Sequence, residues 1–232
     1  MVWSCLVSIL PGMAQTEKLT DYVNPFVGTD GYGNVYPGAQ IPFGGIQISP
    51  DTDSRFYDAA SGYKYNHLTL MGFSLTHLSG TGIPDLGDFL FIPGTGEMKL
   101  EPGTHEDPDQ GYRSRYSHDK EWASPNYYAV ELADYGVKAE MTSGVRSGMF
   151  RFTYPESDNA FIMIDMNHTL WQSCEWSNLR MINDSTITGY KLVKGWGPER
   201  HVYFTATFSK KLTGLRFVQD KKPVIYNTSR FR

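Results

Sequence analysis

Residues 72–88 carry the strongest structural signal in the chain and read Gly72-Phe73-Ser74-Leu75-Thr76-His77-Leu78-Ser79-Gly80-Thr81-Gly82-Ile83-Pro84-Asp85-Leu86-Gly87-Asp88. The run begins as a strand, with Phe73 and Leu75 on one face. Ser79-Gly80-Thr81-Gly82 then interrupts the strand, because two closely spaced glycines permit positive φ values and close backbone approach. Apolar residues resume at Leu86 and continue through Phe89–Ile92. We therefore expect two buried strands joined by a polar loop.

The chemistry of this loop allows two interpretations. It combines hydroxyl groups, exposed amides, His77 and the carboxylate of Asp85. Such groups suit a sugar, because each sugar hydroxyl both donates and accepts hydrogen bonds, and loops on rigid strands commonly carry binding groups. Alternatively, the run is a tight β-connection in which Asp85 and Asp88 only accept hydrogen bonds from turn amides.

The chain outside this run is also predicted to be built of strands. No window longer than about three turns keeps helical spacing, and glycine, proline, asparagine and aspartate separate the segments at short intervals. Asp134-Tyr135-Gly136 is predicted to close a hairpin, and Ser49–Asp53 to form a turn. The predicted strands are Ile41–Ile48, Tyr127–Leu132, Val137–Met141, Met149–Tyr154, Phe161–Ile164, Ser185–Lys194, His201–Ser209 and Leu215–Val218. This pattern predicts an all-β, antiparallel sandwich.

Length and composition exclude several classes of protein. The 232 residues suffice for one large domain, and the net charge of -4 is spread without a basic patch. Nucleic acid is therefore not an expected partner, and no apolar stretch is long enough to span a membrane. The 15 Tyr, 13 Phe and 5 Trp residues favour strands and also suit the apolar faces of sugars.

The first 14 residues resemble the end of a signal peptide. They are apolar and finish in Gly12-Met13-Ala14, although the usual positively charged start is missing. We expect export to the periplasm, cell surface or medium, with cleavage after Ala14 and a domain over residues 15–232. Cleavage would leave Cys174 without Cys5, so no internal disulfide is expected. The last residues look like an edge strand, so the domain is expected to be truncated at its C-terminal end.

Catalytic groups cannot be paired from the sequence alone. Hydrolysis of a glycoside requires two carboxylates across the scissile bond. The candidate carboxylates are Asp51, Asp53, Asp58, Asp85 and Asp88. Each of them fits a turn or solvent position better than a catalytic one. A Gly-x-Ser-x-Gly motif and zinc-ligand spacings are both absent from the sequence. Trp196, in the turn Gly195–Pro198, fits either a sugar-stacking position or the end of a core strand.

Several segments together resemble glycoside hydrolase family 92. They occur in family order between about Leu19 and Ser209, across nearly the whole predicted mature chain. The matching segments are Tyr22–Thr29, Tyr36–Ala39, Pro42–Gly44, Ser49–Thr52, Ser61–Tyr63, His77–Gly82, Asp85–Asp88, Gly195-Trp196 and Tyr203-Phe204.

The resemblance implies the N-terminal β-sandwich of a two-domain enzyme. Members of the family are calcium-dependent, inverting exo-α-mannosidases, mostly bacterial and exported, with a cleft between the sandwich and a C-terminal (α/α)6 barrel. The general acid, general base and calcium ligands would lie in that barrel, so no catalytic or metal-binding residue is expected in this chain. Its partners would be a mannose-containing glycan and the barrel of the same polypeptide.

The resemblance also implies that runs 57–65 and 77–85 supply loops to the sugar pocket. The expected substrate-binding residues are Tyr57, Asp58, Ser61, Tyr63, His77, Ser79, Gly80, Thr81, Gly82, Asp85 and Trp196. Two departures affect the expected linkage preference. Tyr57–Ala60 stands where α-1,2-mannosidases of the family carry Trp and Cys, and Gly31–Asn34 replaces a His-rich loop. A free-standing carbohydrate-binding β-sandwich is the alternative.

Overall fold

The computed structural model describes residues 17–54, 57–224 and 228–231. The predicted leader and its cleavage point lie outside the described residues, as does the side chain of Asp58. Strands dominate the described chain, and its helices are short 3-10 turns at Leu19–Tyr22, Tyr57–Ala59, Pro108–Gln110 and His118–Lys120. The strands are β1 (Ser49–Asp51), β2 (Thr69–Leu70), β3 (Gly72–Ser74), β4 (Leu90–Thr95), β5 (Ser114–Arg115), β6 (Glu121–Ser124), β7 (Tyr127–Leu132), β8 (Val137–Ser143), β9 (Gly148–Thr153), β10 (Ala160–Asp165), β11 (Ser173–Asn183), β12 (Thr186–Lys194), β13 (Arg200–Thr207), β14 (Phe217–Gln219), β15 (Lys222–Val224) and β16 (Thr228–Phe231).

Three four-stranded antiparallel sheets form the body of the fold. Sheet A has the order β1-β3-β4-β10, sheet B the order β6-β7-β8-β9, and sheet C the order β13-β12-β11-β16. Two small ribbons, β2-β5 and β14-β15, complete the described strands. The predicted all-β antiparallel class is thus confirmed.

Aromatic side chains join the three sheets. Phe91 on β4 lies with its ring centroid 5.1 Å from that of Phe150 in sheet B and 6.0 Å from that of Phe204 in sheet C. Phe73 on β3 meets sheet B through Phe150 and Phe152. Offset and edge-on aromatic pairs add about 0.5–1.5 kcal/mol each beyond the burial of their surface. Sheet A is therefore packed against both of the other sheets.

The two strands predicted around the polar loop are confirmed. β3 and β4 are fully buried over most of their length and pair through Phe73 and Phe91. The predicted hairpin around Asp134–Gly136 is also confirmed, because β7 and β8 pair from Leu132↔Val137 to Tyr128↔Met141. Gly136 has a φ of 63°, a conformation that favours glycine in a tight turn.

Two predictions near the N-terminus were wrong. Ile41–Ile48 was expected to be a strand, but it turns at Gly44, whose amide donates to the Ile41 carbonyl, and only Ile48 forms a β-bridge. The predicted turn at Ser49–Asp53 instead begins as β1, which pairs with β3 and is completely buried. β1 is an edge strand of sheet A, a position where the missing N–H of Pro50 is tolerated.

Strand β11, the longest at 11 residues, was not predicted. Its register on β12 shifts between Cys174 and Trp176 and again between Met181 and Asn183. Each shift is a bulge-like irregularity that breaks the alternation of inward and outward side chains. A period-two search therefore cannot detect the strand as one segment. Among the described residues, no helix has the length and apolar character needed to cross a membrane.

Candidate functional site

The polar loop is closed at its base by main-chain hydrogen bonds. The Leu75 amide donates to the Asp88 carbonyl (2.9 Å), and the Gly87 amide donates to the Thr76 carbonyl (2.8 Å). Ser79, Gly80 and Gly82 are exposed at its tip and Thr81 is half-buried. The tip is therefore an accessible array of hydroxyls and amides held by a rigid base.

Asp85 ties this loop to the turn that carries Trp196. Its carboxylate accepts from the Leu86 amide at 2.6 Å and from the Trp196 amide at 3.1 Å. A Cβ placed on Gly195 would lie 3.1 Å from both Asp85 carboxylate oxygens, so the glycine permits this close approach. The arrangement favours the interpretation of Asp85 as a turn residue, and it leaves the Trp196 ring 64% exposed.

A third turn, residues 168–172, packs beside the loop. The Gln172 side-chain amide donates to the Pro84 carbonyl (2.6 Å), and the Leu170 amide donates to the Leu86 carbonyl (3.0 Å). Trp171, between them, is 55% exposed and contacts Tyr57, with ring centroids 5.4 Å apart. We call the exposed parts of four neighbouring segments the loop surface. The segments are Tyr57, 79–85, 168–172 and 195–197.

Trp171 was missed from the sequence. Its segment, His-Thr-Leu-Trp-Gln, follows an apolar strand and has no motif that separates a presented tryptophan from a buried one. Only the contacts of the neighbouring residues fix its outward position.

His77 lies beneath the loop surface rather than on it. It is 3% exposed, its Nδ1 lies 2.6 Å from the Gln47 carbonyl oxygen, and its Nε2 lies 2.8 Å from Asp51 Oδ1. On its other oxygen, Asp51 accepts from His168 Nε2 at 2.7 Å.

The protonation of Asp51 follows from this arrangement. Burial raises the pKa of its carboxyl group, but the charge of His77 and the hydrogen bonds from His168 and His77 outweigh burial, so the net pKa lies well below the ordinary value. Asp51 is an ionised anchor between β1, the polar loop and the 168–172 turn.

Asp88 anchors the same loop to sheet C. Its carboxylate lies 3.1 Å from Lys191 Nζ and also pairs with Arg200 and with the Thr76 hydroxyl. Burial raises the pKa of the Asp88 carboxyl group, but the charges of Lys191 and Arg200 outweigh burial. The net pKa therefore lies below the ordinary value. Burial lowers the pKa of Lys191, and the ion pair with Asp88 only partly offsets this.

The interpretation of Asp51, Asp53 and Asp88 as turn or solvent residues therefore needs correction. Asp85 does accept hydrogen bonds from turn amides, but it is buried rather than solvent-exposed. Asp51, Asp53, Asp85 and Asp88 are all at most 6% exposed. Asp53 lies 3.3 Å from His105 Nε2 and Asp85 lies 3.7 Å from Arg200. Every one of the four faces a cationic or imidazole side chain from a distant part of the chain, which satisfies the requirement that buried charges be paired.

Apart from Asp58, whose side chain lies outside the described residues, the predicted substrate-binding residues fall into two groups. Tyr57, Ser79, Gly80, Thr81, Gly82 and Trp196 lie on the loop surface. Ser61, Tyr63, His77 and Asp85 are buried, and the Tyr63 hydroxyl donates to the Glu121 carboxylate at 2.9 Å. The first group is therefore accessible to solvent, whereas the buried group lies beneath or within the loops.

The described residues do not fit a calcium site. They contain no group of three or more His, Cys, Asp or Glu side chains arranged to hold a metal ion. Calcium takes six to eight oxygen ligands, and the buried carboxylates are occupied by His, Lys and Arg.

A separate groove of about 370 Å³ lies on sheet C and shares no lining residue with the loop surface. It is lined by Trp176, Asn178, Arg180, Thr188, Gly189, Tyr190 and Tyr203. The Tyr190 ring lies 4.9 Å from that of Trp176 and 4.6 Å from that of Tyr203. Aromatic rings beside amide, hydroxyl and guanidinium groups make this a second polar–aromatic surface.

The described chain is a β-sandwich domain whose loops present exposed hydroxyls, amides and aromatic rings. Comparison with known families gives a match to the Glycosyl hydrolase family 92 N-terminal domain over residues 22–230. The chain therefore belongs to glycosyl hydrolase family 92, as one of its N-terminal domains, which confirms the resemblance found in the sequence.

Two known proteins illustrate the relationship. An "Uncharacterized secreted glycosidase" of Arthroderma benhamiae is 30% identical over 139 residues, which is 59% of this chain and 17% of that protein. The solved structure of the family 92 glycosyl hydrolase ccman5 matches with a TM-score of 0.75 and 27% identity, over 91% of this chain and 29% of that one. The chain thus spans less than a third of either relative.

Proposed function

We propose that this chain is the sugar-cleft domain of a calcium-dependent, inverting exo-α-mannosidase that trims mannose from glycans through α-1,2 or related linkages. The match to the family 92 N-terminal domain over residues 22–230 is the observation that carries the proposal. The exposed hydroxyls, amides and aromatic rings of the loop surface support it, because they suit a polar ligand with apolar faces.

In this proposal the chain binds and orients the sugar, and another domain supplies the chemistry. The four described buried aspartates are paired with His, Lys or Arg, so none is available as a general acid or base. We assign the acid, the base and the calcium ligands to a C-terminal (α/α)6 barrel of the same polypeptide. Calcium would orient the sugar there, while the loop surface contacts the glycan and excludes water from one side of the cleft.

The test uses the full-length enzyme and α-1,2-linked mannobiose. We expect release of mannose that stops when calcium is chelated and returns when calcium is added. NMR during the first minutes should show β-mannose as the initial product, because inversion reverses the anomeric configuration. Initial α-mannose would contradict inversion. Absence of mannose release from α-1,2-linked mannobiose and from mannobioses with the other α linkages would contradict the proposed activity.

We also propose that the protein is exported. The apolar leader ending at Ala14 supports this, and the Arthroderma relative is described as secreted. Mass spectrometry of protein from the native host should find Gln15 at the mature N-terminus. An intact leader on protein from the cytoplasm would contradict export.

Carbohydrate binding without catalysis is a second candidate function, which the groove on sheet C favours. Tyr203 is 70% exposed there and continues the row of rings from Trp176 and Tyr190. Replacement Tyr203→Ala would weaken retention on immobilised mannan if this groove is the binding site. Retention that instead depends on Trp196 would assign binding to the loop surface.

A further inference from the structure

Trp171 occupies a backbone conformation that tryptophan rarely adopts. Its φ is 73°, in the left-handed region where the Cβ of a bulky side chain collides with the backbone. Such a conformation persists only where the surrounding structure imposes it, and it commonly occurs at functional positions.

The turn around Trp171 is held from both sides. Thr169 Oγ1 donates to the Gln172 carbonyl at 2.7 Å, and His168 bonds to the buried Asp51 carboxylate at 2.7 Å. Leu170 is fully buried, and a Cβ on Gly87 would lie 2.6 Å from Leu170 Cγ. Leu170 is therefore the packing residue of the turn, and the residue after it is forced outward.

Burial of the Trp171 ring does little to offset the cost of this backbone conformation. The ring is 55% exposed, and its aromatic neighbour Tyr57 is itself 57% exposed, with ring planes 55° apart. A tryptophan that supported the core would bury its ring, as Phe73 and Phe89 do. The two rings instead form an angled, accessible aromatic surface beside the polar loop.

We propose that the strained turn presents Trp171 as a sugar-stacking residue, which with Tyr57 contacts a pyranose ring of the glycan and contributes to substrate specificity. Aromatic faces receive the apolar C–H face of a sugar ring, and the hydroxyls and amides of residues 79–82 lie on the neighbouring loop to bind its hydroxyls. The inference rests on the proposed function for the class of ligand, and it adds a residue that the motifs of the chain did not indicate.

The test separates a ligand-contacting ring from a structural one. In full-length enzyme, Trp171→Gly removes the ring and relieves the left-handed strain, so its Tm should stay equal to or rise above that of the parent. Its kcat/KM for α-mannobiose should fall about tenfold, mainly through KM, by loss of the aromatic contact. Trp171→Phe should recover most of that loss.

Trp122→Ala is the matched control. Trp122 is 64% exposed on β6 of sheet B, outside the segments that form the loop surface. We expect its kcat/KM to equal that of the parent. A Trp171→Gly enzyme with lowered Tm and unchanged kcat/KM would show that the ring is structural and would overturn the proposal.

Failure of the proposed function gives a different result. If the parent enzyme cleaves no mannoside, the activity is refuted, and the stacking role is then tested on an array of immobilised oligosaccharides. Loss of retention in Trp171→Gly, with retention kept in Trp122→Ala, supports stacking. Equal retention of parent and Trp171→Gly, or no retention of either, overturns it.

Discussion

Asp88 illustrates how much of the loop surface depends on one side chain. Its carboxylate is 1% exposed and holds Lys191 and Arg200 of sheet C against a loop that belongs to sheet A. Lys191 is itself completely buried, lies 5.2 Å from the centre of the Phe89 ring and donates to the His168 carbonyl. Without the carboxylate, this buried ammonium group would lose its counter-charge.

We therefore expect Asp88→Asn to destabilise the protein by about 3–5 kcal/mol, the usual cost of removing one partner from a buried ion pair. Urea unfolding measures the change. The control is Glu131→Gln, which breaks the exposed pair with Lys120 and should cost under about 1 kcal/mol. A loss for Asp88→Asn as small as that of the control would contradict the assigned role.

The same carboxylate predicts how stability depends on pH. The folded-state pKa of Asp88 lies below its ordinary value, which is about 3.9 in an unfolded chain. The unfolded state therefore binds the proton more readily, and the contribution of Asp88 is fully present above about pH 4 and is lost as pH falls through the folded-state pKa. Unfolding curves from pH 2 to 7 should be flatter for Asp88→Asn than for the parent, and equal slopes would refute this contribution.

At the scale of elements, the loop surface is made of turns that fix one another. Asp85 links the polar loop to the Trp196 turn, and Gln172 links it to the Trp171 turn. Strands β4, β10 and β12 hold the bases of these turns. The positions of the exposed rings are therefore set by hydrogen bonds to neighbouring turns rather than by burial of the rings.

This arrangement predicts different effects for Asp85→Asn and Trp196→Ala in the full-length enzyme. Asp85→Asn weakens charge-assisted hydrogen bonds, so we expect a loss of stability of about 1.5–3 kcal/mol together with a lower kcat/KM. Trp196→Ala removes an exposed ring, so kcat/KM should fall while Tm stays the same. Thermal unfolding and steady-state kinetics measure both.

The control for Asp85→Asn is Asp184→Asn, because Asp184 is exposed and pairs with Lys211 at 2.7 Å. Asp184→Asn should change neither the stability nor kcat/KM. If Asp85→Asn lowers kcat/KM at unchanged stability, the side chain acts on the sugar itself rather than through the Trp196 turn.

Elements with local signals were predictable from the sequence. Alternation and the Asp134–Gly136 turn gave the β7-β8 hairpin, and two glycines gave the loop at 79–82. The burial of Asp51 and Asp88 was not predictable, because their partners His168 and Arg200 lie 117 and 112 residues further along the chain. No local pattern distinguishes a turn aspartate from one that meets a distant cation.

At the scale of the whole molecule, the pairing of the carboxylates bears on activity. An inverting glycosidase needs an acid and a base about 6.5–9.5 Å apart with a water between them. The described aspartates near the loop surface are buried against His, Lys and Arg side chains. Where the side chains of the loop surface are described, they include no free pair of carboxylates.

We therefore expect residues 15–232 alone to release no mannose from an aryl α-mannoside or from α-linked mannobiose, with or without calcium. The measurement is mannose release above a buffer blank, with the full-length enzyme as the positive control. Calcium-dependent release by the purified domain would mean that a complete catalytic pair lies within this chain.

The distant partners of the loop surface also have a consequence for synthesis. Arg200 lies 112 residues after Asp88, so at about 5–20 residues per second the ribosome adds it roughly 6–22 seconds after Asp88. Before Arg200 is added, Asp88 has no guanidinium partner. Asp51 likewise lacks its hydrogen bond from His168 until that residue has been added. Contacts of such high sequence separation form slowly. The contacts that fix the loop surface can therefore form only after most of the chain has been made, whereas the β7-β8 hairpin joins strands that are adjacent in sequence.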